Sequence, residues 1–244
     1  MGPVPGFMVD ITTPDGVADA YFTRPDDRDH PAVLFIIDAY GLRPTIYEMA
    51  DRIAADGYGV LVPNLFYRAG RAPVLPMPDF SDPDARGRFF QQLRPLLDEL
   101  TPERIASDSG AYLDRLAGPV AITGYCLGGR VGWRMATAHP DRIVALGAFH
   151  AGQLVTDAPD SPHRSADQIK AELYFGFADQ DQSMTPEQIA TLEKALDEAG
   201  ASYRAEIYEG AAHGYTMADT PAFHADALEH HYRELRALLE RTIG

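Results

Sequence analysis

The order of apolar runs along the chain predicts an α/β protein in which a mostly parallel central sheet is flanked by helices on both faces. Three observations carry that expectation. From residue 31 onward, apolar runs of strand length alternate with amphipathic stretches of helical length, which is how successive strand–helix units read in a sequence. The run Ala32–Ile37 is apolar throughout, as a strand covered on both faces requires. Apolar residues make up 45% and charged residues 23% of the 244 positions, the composition of a globular chain long enough to bury a large core. One domain over residues 1–244 is expected, because no repeat, low-complexity block or linker divides the chain.

The elements follow in order. Residues 7–13 and 17–25 form a hairpin around Pro14-Asp15-Gly16, a turn-forming triplet between two alternating runs. After the Ala32–Ile37 strand, Ile46, Met49, Ala50, Ile53 and Ala54 recur at helical spacing up to Gly57, a C-terminal stop. Strands are then expected at Gly59–Pro63, Val120–Tyr125, Ile143–Phe149, Ala171–Phe177 and Tyr203–Tyr208. Helices are expected over Ala85–Leu100, from Leu127, over Pro186–Ala199 and over residues 221–243, with Leu228, Leu235, Leu239 and Ile243 facing inward in the last. The segment Ala72–Asp84 holds Pro73, Pro76, Pro78 and Pro83 and has no period. It reads as an irregular surface loop, either a lid or a plain connection.

Charge and composition exclude several functions. With 21 basic against 36 acidic residues the net charge is −15, and no Lys/Arg cluster offers the stripe that a phosphate backbone needs, so nucleic acid is not an expected partner. No apolar run approaches the roughly 18 residues of a membrane span. Met1–Phe7 lacks the basic-then-apolar order of a secretory leader, and Gly6 replaces the Ser or Thr of a myristoylation signal. A cytoplasmic location and a monomer or weak homodimer are expected. The single cysteine cannot form an internal disulfide, which directs attention to what its thiol does.

That cysteine stands in Gly124-Tyr125-Cys126-Leu127-Gly128-Gly129, between an expected strand and an expected helix. This is the context of a nucleophile elbow, a sharp turn that holds its central residue in a strained conformation. Gly124 and Gly128 remove side chains that would collide, and Gly129 lets the helix approach the sheet. The helix N-terminus favours a thiolate, the nucleophilic form. A lone free cysteine is by default a small buried hydrophobe, but the flanking glycines reverse that default.

A nucleophile of this kind needs a base and an orienting acid, which such folds supply in the order nucleophile, acid, histidine. Of the eight histidines, His213 follows the last strand in Gly210-Ala-Ala-His-Gly-Tyr215, where an imidazole can reach the sheet's C-terminal edge. His230 and His231 are assigned to the solvated side of the final helix. His30, His139, His163 and His224 have no partner motif. His150 follows the strand ending at Phe149, and either lines the pocket or is a satisfied structural histidine. For the acid, the segment after Phe177 offers Asp179 and Asp181. Asp181 is preferred for its three-residue spacing to Met184, leaving Asp179 to brace the loop. The same stretch lacks the Gly and the terminal acid of a calcium loop, and no metal site is expected. The oxyanion donors would be the N–H groups of Leu127 and Ala39. Asp38 either accepts the thiol proton or caps the helix that follows.

With these residues assembled, the chain resembles the dienelactone hydrolase family. The likeness runs from Ile37-Asp38-Ala39-Tyr40-Gly41 through Gly-Tyr-Cys-Leu-Gly-Gly to Gly-Ala-Ala-His-Gly-Tyr215. It implies an α/β-hydrolase fold, a triad of Cys126, His213 and Asp181, no cofactor, and hydrolysis of small esters or enol-lactones such as dienelactone. Tyr40, Tyr215, His150, Arg68 and Arg86 are then candidates for lining the substrate site. Two positions depart from the pattern. Members carry a glutamate, thought to activate the thiol, where this chain has Asp38. Members specific for dienelactone place a carboxylate-binding arginine shortly after the histidine, where this chain has Thr216-Met217. Arg86, Arg88 or Arg68 would have to replace it, and a neutral ester or lactone is a further candidate substrate. The same residues could also attack an amide or thioester. The alternative of another class is a non-catalytic fold that binds a small ligand or senses oxidants through Cys126; an acid and a histidine in the expected order argue against it.

Overall fold

The computed structural model describes residues 4–244; residues 1–3, part of the stretch that carries no leader or myristoylation pattern, lie outside the described residues. Eight strands form one sheet in the order β1-β2-β4-β3-β5-β6-β7-β8. The hairpin pairs β1 (Val4–Thr13) with β2 (Gly16–Arg24), and β2 lies antiparallel to β4 (Gly59–Pro63). From β4 onward every pairing is parallel, through β3 (Ala32–Ile36), β5 (Val120–Tyr125), β6 (Ile143–Phe149), β7 (Glu172–Gln180) and β8 (Tyr203–Ala212). Every residue of β3, β4 and β5 is buried, which explains why their sequences are apolar on both faces rather than alternating.

Helices cover both faces. On one lie α1 (Pro44–Ala55) and α6 (Ala225–Thr242), joined by the ion pairs Arg52–Glu229 and Arg236–Asp56. On the other, α4 (Leu127–Ala138) packs on β5 and β6 and against α3 (Pro102–Leu113). A 3-10 turn at Pro162–Gln168 connects α4 with α5 (Pro186–Ala199). α2 (Ala85–Asp98) follows the proline-rich segment. No helix is long and apolar enough to cross a membrane among the described residues.

Three elements differ from the sequence reading. α3 has no counterpart there, although Thr101 caps it by accepting the Arg104 N–H and Pro102 opens it, a standard start signal. β8 runs four residues further than expected, because Gln180 pairs with Ala212 beyond an irregularity in β7; Gly210 takes φ +73 there and its N–H donates to the Asp179 carboxylate at 3.1 Å. His231 is fully buried rather than solvated: α6 lays it against the sheet, where its Nε2 meets the Tyr125 hydroxyl at 2.8 Å. Burial pushes its imidazole down to about 3, so it stays neutral and accepts the tyrosine's proton.

The strand order reverses between β3 and β5, which lie side by side although β3 leads on to β4 and β5 on to β6. Crevices that bind ligands form at such a reversal, beyond the C-terminal ends of the strands. Cys126 is the first residue past the end of β5, and Ala39 is the third past the end of β3.

Candidate active site

Cys126 occupies the turn between β5 and α4 with φ +55 and ψ −116, a region L-residues avoid unless the surroundings impose it. The surroundings here are glycines. A Cβ on Gly124 would fall on the Gly128 carbonyl, one on Gly128 would fall on the Ile36 carbonyl of β3, and one on Gly129 would strike Ala151. The Cys126 N–H donates to the Phe149 carbonyl at 3.1 Å, tying the turn to β6. Beneath it, Tyr125 is wholly buried, accepting from Thr123 at 3.0 Å and donating to His231.

The structure brings three of the expected residues into one line. His213 leaves the end of β8 and places Nε2 3.0 Å from the Cys126 Sγ. Its Nδ1 lies 2.6 Å from Oδ2 of Asp181, at the end of β7. Asp181 is buried, and its other oxygen accepts the Ser183 N–H at 2.7 Å and hydroxyl at 2.6 Å. The Ser183 Oγ is also 3.2 Å from His213 Nδ1, a second contact on the same atom that the sequence reading missed. Burial pulls the His213 imidazole down, but its hydrogen bonds to Asp181 and Cys126 outweigh that and hold it up at about 10. Burial also raises Asp181, yet His213 and Ser183 leave its carboxyl below the usual range. The neutral-pH form is therefore an imidazolium between a carboxylate and a sulfur.

Leu127 follows Cys126 directly as the first residue of α4, and Ala39 lies in the turn that follows β3. No backbone carbonyl among the described residues accepts either N–H, so both donors stand available at the crevice. Tyr40, next to Ala39, is half-buried in an aromatic wall, with ring centroids 5.0 Å from Phe89, 5.9 Å from Phe80 and 6.4 Å from Phe90. Phe80 comes from the proline-rich segment, whose Val74 and Leu75 pack against the core; that segment thus backs Tyr40. Arg86 is exposed and lies 5.8 Å over the Phe90 ring.

Four candidates are placed away from the reacting atoms. Arg68 is held by Asp108 at 2.8 Å and Asp15 at 2.6 Å, with its partners on β1–β2 and α3 rather than at the elbow. Tyr215 is wholly buried and donates to the Gly176 carbonyl at 3.0 Å. His150 does not line the crevice: it is wholly buried behind His213, ring centroids 5.4 Å apart, and bonds the Thr216 hydroxyl at 2.7 Å through Nε2. Nor is it satisfied, since Nδ1 has no partner; burial holds it well below the usual imidazole range, hence neutral. Asp38 reaches neither the thiol nor the N-terminus of α1. Arg43 takes both its oxygens, at 2.7 and 2.9 Å, and the Tyr40 N–H takes one at 3.0 Å. Sequence offered no sign of Arg43, which lies at the mouth of α1 with no motif around it. Arg88, the third suggested anion clamp, pairs with Asp82.

Among the described residues one group could ligate a metal: Glu206, His230 and Glu234 place three ligand atoms within 4.8 Å of one another. Arg204 already bridges both glutamates, and the cluster lies on β8 and α6, apart from the thiol.

Comparison with known proteins bears on the family of the chain. A model of the dienelactone hydrolase family matches residues 18–243. Over 222 residues the chain is 28% identical to a protein named "Putative carboxymethylenebutenolidase" from Escherichia coli K12, covering 86% of this chain and 77% of that one. A "Putative Dienelactone Hydrolase" from Klebsiella pneumoniae has a similar fold, with a TM-score of 0.83 at 21% identity over 96% of this chain and 98% of that one. A dienelactone hydrolase-like promiscuous phosphotriesterase from metagenomic libraries superposes with a TM-score of 0.76 at 19% identity, covering both chains fully. Because the family match runs from the second strand to the end of the last helix, the chain belongs to the dienelactone hydrolase family and is a hydrolase of the ester and lactone type.

Proposed function

We propose that the chain hydrolyses a small ester or enol-lactone through a covalent acyl-enzyme on Cys126, with His213 and Asp181 completing the triad. The observation that carries this reading is the unbroken line from Asp181 through His213 to the Cys126 sulfur, contacts of 2.6 and 3.0 Å, set on a strained elbow. The Nε2 of His213 stands beside the sulfur, so the positive charge of the ring faces the nucleophile that attacks.

The sulfur attacks the substrate carbonyl, forming a C–S bond while the carbonyl electrons move to oxygen. The Ala39 and Leu127 N–H groups receive that oxyanion. As the C–O bond breaks, His213 delivers its Nε2 proton to the leaving oxygen; in a lactone the leaving group stays attached as the new hydroxyl. Neutral His213 then takes a proton from water, whose oxygen attacks the thioester. The C–S bond breaks, and the thiolate and imidazolium are restored. Asp181 holds the ring so that Nε2 faces the sulfur and supports its positive charge. Asp38 has no step in this sequence.

Tyr40 and Phe90 offer an apolar wall for an unsaturated or aromatic acyl group, and Arg86, stacked over Phe90, supplies a cation for a substrate carboxylate. The test compares wild type with Cys126→Ala on an aryl ester and on dienelactone. Loss of turnover by about 10⁴-fold or more is expected, and a mutant that matched wild type would end the reading. The ratio between the two substrates reads whether Arg86 suffices for an anionic lactone.

A further inference from the structure

We infer that Arg43 is a positioning residue that locks the oxyanion side of the site to its histidine side; the inference rests on the reading of the site just given. The two sides come from distant parts of the chain: residues 38–43 carry the Ala39 N–H, and residues 213–219 carry His213. Arg43 is 6% exposed and uses all three guanidinium nitrogens to join them. Nε donates to Asp219 Oδ2 at 2.6 Å. Nη1 donates to Asp38 Oδ1 at 2.7 Å and to the Gly41 carbonyl at 3.1 Å. Nη2 donates to Asp38 Oδ2 at 2.9 Å, and lies 3.3 Å from both Asp219 Oδ1 and the Met217 sulfur.

Each contact fixes something the reaction uses. On the oxyanion side, Asp38 Oδ1 also accepts the Tyr40 N–H at 3.0 Å and its carbonyl accepts the Gly41 N–H at 3.3 Å. The turn therefore consumes the donors on one side of the Ala39 peptide and leaves the Ala39 N–H for the crevice. Arg43 holds the carboxylate that holds that turn. On the histidine side, the Tyr215 N–H donates to Ala212 at 3.1 Å and the Met217 N–H to Gly214 at 2.9 Å, so a pull on Met217 and Asp219 is passed by two tight turns to the residues bracketing His213. A planar fork that binds two carboxylates at fixed angles transmits orientation as well as charge. It also means that Asp38 is a fixed anion, spoken for by a permanently charged partner, and not a proton acceptor for the thiol.

The experiment separates two reactions of the same sulfur. Alkylation of Cys126 by iodoacetamide needs the nucleophile and its imidazole but no oxyanion donor, because attack is at a saturated carbon. Ester hydrolysis needs all of them. Both rates are measured for wild type, Arg43→Lys and Asp219→Asn, with the thermal midpoint of each; the single cysteine makes the alkylation readout unambiguous. Lysine keeps the charge and loses the fork, and Asp219 is a partly exposed partner whose change spares the fold even if Arg43→Lys does not.

Both variants are expected to lower kcat by about 10- to 100-fold, the range for removing groups that orient a site, while alkylation falls less than about threefold. Parallel loss of alkylation and hydrolysis in a folded variant would overturn the proposal, since Arg43 would then act on the thiol pair itself. Unchanged kcat in Asp219→Asn would overturn it as well. Failure of the underlying reading looks different: wild type would hydrolyse no ester, or Cys126→Ala would match it.

Discussion

Two buried aspartates follow parallel strands of the same sheet, at its C-terminal edge, and they have opposite fates. Asp181, after β7, faces an imidazole; Asp38, after β3, faces a guanidinium. A histidine partner can gain and lose a proton within the ordinary pH range, whereas an arginine cannot. The first pair is therefore able to take part in proton transfer and the second is confined to structure. Burial pushes the Asp38 carboxyl upward against the pull of Arg43, which is the electrostatic cost of placing a charge pair where water is absent. Residue type and strand-end position do not distinguish these two carboxylates; the partner does.

The sharpest way to break that contrast is to neutralise each in turn. Asp181→Asn is expected to lower kcat by about 10³- to 10⁴-fold with little change in thermal midpoint, because the amide no longer supports the positive charge of the ring or holds its orientation. Asp38→Asn is expected to act chiefly on stability, costing about 3 kcal/mol, since it leaves Arg43 buried with one carboxylate instead of two. Rate measurements alongside melting curves separate the two. If Asp38→Asn abolished alkylation of the thiol at unchanged stability, Asp38 would be the thiol's base after all.

What the sequence made legible follows the same line. The elbow could be read because its geometry needs glycines at fixed places, and Gly124 and Gly128 meet backbone carbonyls on both sides of the turn. His213 and Asp181 could be placed because each directly follows a strand, so their distance from Cys126 is set by strand order alone. Partners that depend on packing left no local trace. Arg43 and Asp219 are 176 residues apart, and nothing near either position advertises the other. His231 stands next to the partly exposed His230 in the same helix, and only the docking of α6 on the sheet decides which is fully buried. The end of β8 was hidden by composition: Gly210, Ala211 and Ala212 read as a loop, but Asp179 secures Gly210 in its left-handed conformation and the strand continues. For Tyr215, Arg68 and His150 the direction of the side chain is set by packing partners that the sequence does not reveal.

A smaller effect sharpens the contrast through pH. Because Asp181 and Cys126 hold His213 up at about 10, the imidazolium that donates to the leaving group persists across the neutral range. The alkaline fall of kcat/KM is expected near pH 10 instead of near 7, and in Asp181→Asn it should move downward by a unit or more, as about 1.4 kcal/mol of charge interaction per unit would be lost. The sign for stability agrees. A histidine raised on folding stabilises the fold fully below its unfolded value near 6.5, and that contribution disappears as pH rises through about 10. A pH–rate profile of the two proteins in one buffer series checks the alkaline limb, and their thermal midpoints across the same series check the stability.

The most direct measurement is the intact mass of the protein during turnover of a slowly hydrolysed aryl ester, quenched in acid before the steady state. The expected result is an added acyl mass that appears with the burst of leaving group, maps to the peptide containing Cys126, and decays as product forms. Hydrolysis that proceeds with no adduct, or with an adduct on any other residue, would contradict the covalent role of Cys126.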